Sequence, residues 1–131
     1  MPISLLTAIA NAVAEPVYQL GDYSRSRSRA NNMGEALEEY IKDLFAGTIG
    51  ERDTQARLRR VGEVFSYTGN QNKPPDLIIR GGDAIEIKKI ENPNSVIALN
   101  SSYPKAMLYS DSPMISNACR GCENWQEKKR I

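Results

Sequence analysis

The sequence predicts an α/β fold, a small mixed β-sheet with a central antiparallel hairpin flanked by helices. Residues 33–46 repeat apolar side chains at helical spacing, which predicts an amphipathic helix. Residues 76–80 and 83–89 are apolar runs on either side of Gly81-Gly82, a pattern typical of a β-hairpin. A length of 131 residues suits one domain, so we expect a single domain over residues 1–131.

Charge and composition exclude several classes of function. Seventeen basic and 16 acidic residues leave a formal net charge of +1, which excludes a histone-like protein that binds nucleic acid through bulk charge. The chain contains no histidine, which excludes Ser-His-Asp and Cys-His catalysis and a histidine-ligated zinc site. Any hydrolysis must therefore depend on carboxylates, on lysine or on a metal ion bound through oxygen.

The two cysteines, Cys119 and Cys122, form a C-R-G-C sequence that suits half a zinc site, a redox pair or two ordinary thiols. Zinc would need two further cysteine or histidine ligands, and a redox pair normally opens a helix after a strand. We expect two reduced thiols in a cytoplasmic protein. Residues 1–14 lack the basic start of a signal peptide, and no apolar run approaches the ~20 residues of a membrane span.

In the N-terminal part, residues 1–14 are predicted to form a helix that Pro16 ends. Residues 24–32 are polar and basic, which indicates a loop, and Asn31 or Asn32 can cap the helix over residues 33–46. Gly47 is the expected C-cap of that helix. The expected core face of the first helix consists of Ile3, Leu5, Leu6, Ile9 and Val13.

Further along the chain, weaker patterns alternate with loops. Residues 48–60 are charged and irregular, with a short helix expected over residues 55–60. Residues 63–68 favour a strand, and residues 91–111 are rich in Asn, Ser and Pro, which indicates a long loop. Ser112-Pro113 is expected to begin a last helix, because proline suits the first helical turn.

The alternation of side chains along the hairpin places three charged residues on one face. Glu86 and Lys88 lie opposite the core-facing side chains of their strand. Asp76 joins them if the loop around Gly81-Gly82 has an odd number of residues, such as three with a left-handed glycine. The expected core-facing residues of the hairpin are Leu77, Ile79, Ile85 and Ile87.

Two neighbouring carboxylates repel each other unless a hard divalent cation lies between them. Mg²⁺ is commonly held by one or two carboxylates together with phosphate and water, and the backbone carbonyl of Ile87 offers an additional ligand. Lys88 is placed to orient or deprotonate an attacking water, or to stabilise charge developing on a phosphate. The alternative is an ordinary hairpin with a solvated charged face. Pro74-Pro75 before Asp76, and Glu38 on the upstream helix, favour the functional interpretation.

These motifs resemble a known family of enzymes. Their order, G-x-x-L-E on a helix, a strand, P-D, a strand and E-x-K, is similar to the PD-(D/E)xK nuclease superfamily. The chain from about residue 30 onward more narrowly resembles the N-terminal half of the NgoPII family of type II restriction endonucleases. The more specific runs are R-G-G-D-A-I-E-x-K-K-I-E-N at residues 80–92 and N-S-S-x-P-K at residues 100–105. Shorter matches lie at residues 31–40, 65–67, 74–76, 98–102 and 123–125.

The resemblance implies a restriction-endonuclease-like core and Mg²⁺-dependent hydrolysis of phosphodiester bonds in double-stranded DNA at a short palindrome, GGCC for the name-giving member. It implies Asp76 and Glu86 as metal ligands, Lys88 as the catalytic lysine and Glu38 as an accessory acid, with no organic cofactor. A palindromic target implies a homodimer. Family members are longer, and this chain stops at Ile131, where a further core strand is expected to begin. A truncated, inactive relative that only binds DNA or a protein is therefore an alternative, and a non-nuclease α/β binding module is another.

A DNA-cleaving enzyme also needs residues that hold phosphates and read bases. Weaker candidates for contacts to DNA phosphates are Arg57, Arg59 and Arg60. Trp125 is expected to be a core or interface anchor. The Arg25, Arg27 and Arg29 loop is either a phosphate-binding segment or a solvated loop. Expected DNA contacts are Arg25, Arg27, Arg29, Asn100, Ser101, Ser102 and Lys105.

Overall fold

The computed structural model describes residues 3–18, 20, 33–70, 72–90, 92–94 and 106–131. Within these residues the fold is mixed α/β, with four helices and two small antiparallel sheets, which confirms the predicted fold class. The helices are α1 (Leu5–Ala14), α2 (Met33–Ala46), α3 (Thr54–Val64) and α4 (Asn117–Arg120). The strands are β1 (Phe65–Tyr67), β2 (Leu77–Ile79), β3 (Ala84–Ile85), β4 (Met107–Tyr109) and β5 (Glu127–Lys129).

The chain divides into two compact units, Met1–Val64 and Phe65–Ile131. The first unit contains α1, α2 and α3, and the second contains all five strands and α4. The single nuclease domain over residues 1–131 stays a prediction. In the part of the chain that the structure describes, no helix is both long enough and apolar enough to cross a membrane.

Helix α2 has the bounds that its apolar periodicity predicts. Leu44 and Phe45 are buried at its C-terminal end, and Ala36 is buried about two helical turns before them. The helix ends at Gly47, whose φ of +71° lies in the left-handed region that glycine tolerates best. The predicted C-cap is therefore confirmed, while the expected Asn31 or Asn32 N-cap lies outside the described residues.

Helix α1 stops before Pro16 as predicted, but its expected core face is wrong. Leu6 and Val13 are 76% and 77% exposed, Leu5 and Ile9 are also exposed, and the buried residue of the helix is Ala8. Residues 5, 6, 9 and 13 lie within one arc of about 100° on the helix. That arc is exposed, so apolar spacing marks a face of the helix here and not the face that packs. The side that meets α2 is instead small and polar, with Asn11 Nδ2 donating to the carbonyl of Leu44 at 2.6 Å.

Helix α3 is longer than predicted and replaces the start of the predicted strand 63–68. Its first turn is capped by Asp53, whose carboxylate accepts from the backbone N–H of Gln55 at 2.9 Å. Arg57, Val61 and Val64 are buried at a spacing of four and three residues, which is the spacing of one helical face. Val64 is thus buried as the end of a helix, and the strand is confined to Phe65–Tyr67.

A buried ion-pair cluster connects α2 with α3. Arg57 Nε donates to Asp43 Oδ1 at 2.7 Å, and its Nη2 donates to Glu39 Oε2 at 2.5 Å. Asp43 is 0% exposed and also accepts from the Thr48 hydroxyl. The weak prediction that Arg57 grips DNA phosphates is therefore wrong, because its guanidinium is used within the first unit.

The cluster shifts its carboxylates in opposite directions. Burial raises the pKa of Asp43 above its usual value, although Thr48 and Arg57 offset part of the effect. Burial also acts to raise the pKa of Glu39, but Lys42 and Arg57 outweigh it and leave that pKa lowered. Arg57 is thus the cation that both acids share, and Lys42 is a second cation beside Glu39.

We expect Arg57→Met to lower the free energy of unfolding by about 3–5 kcal/mol, because it leaves the buried carboxylate of Asp43 without its cation. The matched control is Arg59→Met, since Arg59 is exposed on the same helix and its replacement should change stability by at most about 0.5 kcal/mol. Urea unfolding followed by circular dichroism measures both variants. Equal effects of the two substitutions would show that the cluster does not stabilise the unit.

In the second unit, β1, β2 and β3 form one antiparallel sheet in that order, and β4 pairs antiparallel with β5. Sequence patterns missed β4 and β5, because β4 lies in a stretch predicted as loop and β5 is the polar run Glu127–Lys129. The last helix begins after Ser116, whose Oγ accepts from Cys119 N at 3.1 Å, and not at Ser112-Pro113. The core of this unit contains Tyr67, Ile78, Ala84, Leu108, Ile115 and Cys119.

Residues 130–131 continue past β5 and lie along the edge of β3. Ala84 and Arg130 form a parallel bridge, and the backbone N–H of Ile131 donates to the carbonyl of Ala84 at 2.9 Å. The carbonyl of Ile131 in turn accepts from Glu86 N at 2.9 Å. Residues 130–131 therefore form a short parallel partner beside β3.

Cys119 and Cys122 are free thiols, as predicted. Cys119 is fully buried in the core of the second unit, and burial raises the pKa of its thiol to about 11. Cys122 is half-buried and lies against the same core, with its thiol directed to the Ser66 hydroxyl at 3.6 Å. Cys119 is therefore an apolar core residue and not a reactive one.

Candidate active site

The hairpin of β2 and β3 has the register that the odd-loop argument predicts. Leu77 is paired with Ile85 and Ile78 with Ala84, and Ile79 N donates to Asp83 O at 2.9 Å. Residues 80–82 form the three-residue loop, with Gly81 at a φ of +70°. The prediction of a three-residue loop containing a left-handed glycine is confirmed.

This register brings Asp76 beside the segment that carries Glu86 and Lys88. Asp76 Oδ2 accepts from the backbone N–H of Ile87 at 2.6 Å, and Asp76 N donates to Ile85 O at 3.1 Å. Lys88 Nζ lies 3.9 Å from Glu86 Oε1, with the Glu86 side chain 16% exposed and that of Lys88 27% exposed. Two carboxylates and one ammonium therefore share the open end of the hairpin.

The face on which these groups lie is not a solvated surface along its whole length. On that face Ile78 lies next to Asp76, and Ala84 lies next to Glu86. Ile78 and Ala84 are both 0% exposed in the core of the second unit. The opposite face is buried as well, through Leu77, Ile79 and Ile85. An ordinary hairpin with one wet face does not describe this arrangement, since the charged groups occur only where the buried face ends.

The backbone of Asp76 is held closely by its neighbours. A Cβ added to Gly69 would lie 2.6 Å from the carbonyl oxygen of Asp76, and Gly69 has a φ of +99°. Pro75, which precedes Asp76 and follows a cis peptide bond, is buried. The segment that follows β1 can therefore approach Asp76 closely only because residue 69 has no side chain.

The candidate metal-ligand atoms at this end of the hairpin are oxygens. Asp76 and Glu86 supply carboxylates, and the backbone carbonyl of Ile87 lies between Glu86 and Lys88 in sequence. The described residues contain no group of three or more Asp, Glu or Cys side chains that could hold a metal by themselves. Two carboxylates fit Mg²⁺, which is usually bound by one or two carboxylates and keeps several waters and substrate oxygens.

The structure says less about the other predicted site residues. Glu38 is exposed on α2 in the first unit, and its part in the site stays a prediction. Arg60 donates to the carbonyl of Ala46 at 3.2 Å and pairs with Glu63, which uses its guanidinium within the first unit. All seven predicted DNA contacts lie outside the described residues: Arg25, Arg27, Arg29, Asn100, Ser101, Ser102 and Lys105.

Trp125 is an anchor, as predicted. Its ring packs against the core of the second unit, and its Nε1 donates to the carbonyl of Cys119 at 3.3 Å. Sequence reasoning missed two charged residues near it, Glu123 and Lys128, which contact the turn of the hairpin. No short-range pattern marks them, because the polar run around Lys128 is typical of an exposed segment.

Gly69→Ala should lower the free energy of unfolding by about 1–3 kcal/mol, because alanine is strained at a positive φ and its Cβ would meet the Asp76 carbonyl. Gly62→Ala is the control, since an added Cβ there meets nothing within 4 Å on α3, and we expect a gain of up to about 1 kcal/mol. Thermal unfolding compares the two variants. If Gly69→Ala leaves the free energy of unfolding unchanged, the segment after β1 does not fix the position of Asp76.

Comparison with known proteins shows which family the chain belongs to. Residues 3–131 match the family described as NgoPII restriction endonuclease. The chain is 48% identical over 129 residues to the type II restriction enzyme NgoPII of Neisseria gonorrhoeae. That alignment covers 98% of this chain and 46% of the relative, so the chain spans about half the length of the curated relative that it matches. No solved structure matches the chain. The resemblance drawn from the sequence motifs is confirmed, and the chain belongs to the NgoPII restriction endonuclease family.

Proposed function

We propose that this chain carries the catalytic hairpin of a type II restriction endonuclease that hydrolyses phosphodiester bonds of double-stranded DNA with Mg²⁺. The observation that carries the proposal is the 2.6 Å contact between Asp76 Oδ2 and Ile87 N, since it brings Asp76 beside Glu86 and Lys88. Membership of the NgoPII family, and a relative named as a type II restriction enzyme, support it.

In this proposal the two carboxylates bind the metal ion. Asp76 and Glu86 would hold Mg²⁺, with the carbonyl of Ile87 as an additional ligand. When bound, such an ion would supply Lewis-acid polarisation of the phosphodiester and a more acidic water. The N–H of Ile87 fixes the orientation of the Asp76 carboxylate, so less ordering is needed when the cation binds.

Lys88 would act on the substrate. Its ammonium is kept near the carboxylates by its charge attraction to Glu86, 3.9 Å away, and a quarter of its side chain stays accessible. An ammonium at this position can orient the attacking water or stabilise the negative charge that develops on the phosphate. The accessory role of Glu38 belongs to the same proposal and rests on the family resemblance.

The target and the assembly follow from the family. A short palindrome, GGCC by resemblance, is cut symmetrically by two copies of an enzyme, so we propose a homodimer with one hairpin for each DNA strand. The predicted contacts to DNA are the arginines at positions 25, 27 and 29 and the residues Asn100, Ser101, Ser102 and Lys105.

A second candidate is a relative that binds DNA or a protein partner without cutting. The chain covers 46% of the length of the NgoPII relative, so cleavage by these 131 residues needs a test of its own. Binding without cleavage would show a steep dependence of DNA affinity on salt, because phosphate contacts release counterions. A mobility-shift titration at several salt concentrations, run beside the cleavage assay, distinguishes the two.

Lys88→Ala should reduce cleavage of a GGCC-containing duplex in Mg²⁺ by about 10²–10³-fold, the usual cost of removing a group that stabilises charge in the transition state. The neighbouring Lys89→Ala is the control and should cut at nearly the original rate. Single-turnover cleavage measures both, with a duplex of scrambled sequence as substrate control. Undiminished cutting by Lys88→Ala would overturn its assigned role.

Mg²⁺ or Mn²⁺ should raise the melting temperature of the chain, because a ligand that binds the folded state stabilises it by about 1.4 kcal/mol at ten times its Kd. Asp76→Asn and Glu86→Gln should each abolish that rise. Asp111→Asn should keep it, because Asp111 is an exposed acid of the same unit away from the hairpin acids in sequence. A rise that survives Asp76→Asn would place the ion elsewhere.

A further inference from the structure

We infer that Glu123 and Lys128 are positioning residues that fix the turn of the β2–β3 hairpin and thereby the placement of Asp76 and Glu86. The inference rests on the proposed function for its catalytic consequence, but its structural part stands on contacts in the second unit. Neither residue is expected to touch metal or DNA. Both act through the hairpin backbone.

Lys128 points inward from β5 although its neighbours Glu127 and Lys129 are exposed. Its side chain is 6% exposed, and an ammonium buried to that extent must be compensated by partners. Nζ donates to the carbonyl of Gly82 at 2.9 Å and to Glu123 Oε1 at 2.6 Å. The first contact attaches β5 directly to the hairpin turn.

Glu123 attaches the next residue of the same turn. Its Oε2 accepts from the backbone N–H of Gly81 at 3.2 Å, and its carboxylate also bonds the Ser66 side chain in β1. Burial acts to raise the pKa of Glu123, but Lys128, Ser66 and Gly81 outweigh it and leave the pKa lowered. The carboxylate is therefore ionised, with both oxygens bonded to the hairpin turn or to Lys128.

The end of the chain holds the open end of the hairpin. Glu86 N donates to Ile131 O at 2.9 Å, and Ile131 N donates to Ala84 O at 2.9 Å. The segment 123–131 thus contacts the hairpin both at its glycine turn and at the metal-ligand candidate Glu86. The first set of contacts is made to Gly81 and Gly82 in the turn, and the second set is made to Ala84 and Glu86 in and just after β3. Together they hold the hairpin at two places.

The contacts of Glu123 and Lys128 oppose a change in the pairing register of β2 and β3. A slip of one residue would move Glu86 to the opposite face of the strand and away from Asp76. Gly81-Gly82 carries no side chain that could oppose a slip, and glycine adopts many backbone conformations. The buried ion pair of Glu123 and Lys128 adds to the specificity of the three-residue loop, because it holds the backbone of both glycines. Buried ion pairs contribute little net stability when compared with apolar pairs of the same size.

The test is the double variant Lys128→Met with Glu123→Leu, which replaces the ion pair by apolar side chains. Because the apolar pair fits the same core, overall stability should be retained. Exchange of the Ile87 amide hydrogen, measured by NMR, should accelerate about tenfold, as expected when a hydrogen bond of this kind is lost. The Mg²⁺ concentration that gives half of the melting-temperature rise should increase. The single variant Lys128→Arg keeps a cation beside Glu123, so it should change both values less than the double variant does.

The matched control is Lys129→Met with Glu127→Leu, which changes the exposed charges of the same strand and should leave both readouts unchanged. If the double variant does not fold, Glu123→Gln carries the test, because it keeps the size of the side chain and loses the charge. Unchanged Ile87 exchange and unchanged metal dependence would overturn the inference. So would a uniform acceleration of all amides in the unit, which would indicate a merely structural role. Faster Ile87 exchange in a protein whose original sequence binds no Mg²⁺ would support the positioning of the hairpin and contradict the proposed nuclease function.

Discussion

The register of the β2–β3 hairpin is the constraint on which the candidate site depends. Its three-residue loop pairs Leu77 with Ile85 and thereby places Asp76 opposite Glu86. The bond from Ile87 N to Asp76 Oδ2 then holds one acid against the strand that carries the other. A loop with one residue more or fewer would send these carboxylates to opposite faces and leave no site for a cation.

Buried charge has a different consequence in each unit. In the first unit Arg57 pairs with both Asp43 and Glu39, so a cation of the same unit compensates these acids. At the hairpin, Lys88 Nζ lies 3.9 Å from Glu86 Oε1 and Asp76 adds a second carboxylate at the end of a buried face. Two neighbouring carboxylates favour a cation there. The contrast separates a structural cluster from a candidate catalytic one without reference to any relative.

Local patterns predicted α2 and the hairpin because each is specified by residues close in sequence. Helical spacing together with Gly47 fixes α2, and strand parity together with Gly81 fixes the register. The same reasoning failed for α1, whose apolar face with Leu6 and Val13 is exposed, because helical spacing shows that a face is apolar and does not show what covers it. It also missed Lys128, whose burial depends on the carbonyl of Gly82, 46 residues away in sequence. The meeting of Asp76, Glu86 and Lys88 at one end of the hairpin was thus predictable, while the contacts that hold the hairpin were not.

The central claim is that Asp76 and Glu86 bind one divalent cation between them. Crystals of the chain grown with Mn²⁺ as a substitute for Mg²⁺ test it directly, because anomalous scattering locates the ion without assumptions about the protein. The account predicts a peak bonded to carboxylate oxygens of both residues, with Lys88 adjacent. A peak bound elsewhere, or no peak at these two acids in saturating Mn²⁺, would contradict it.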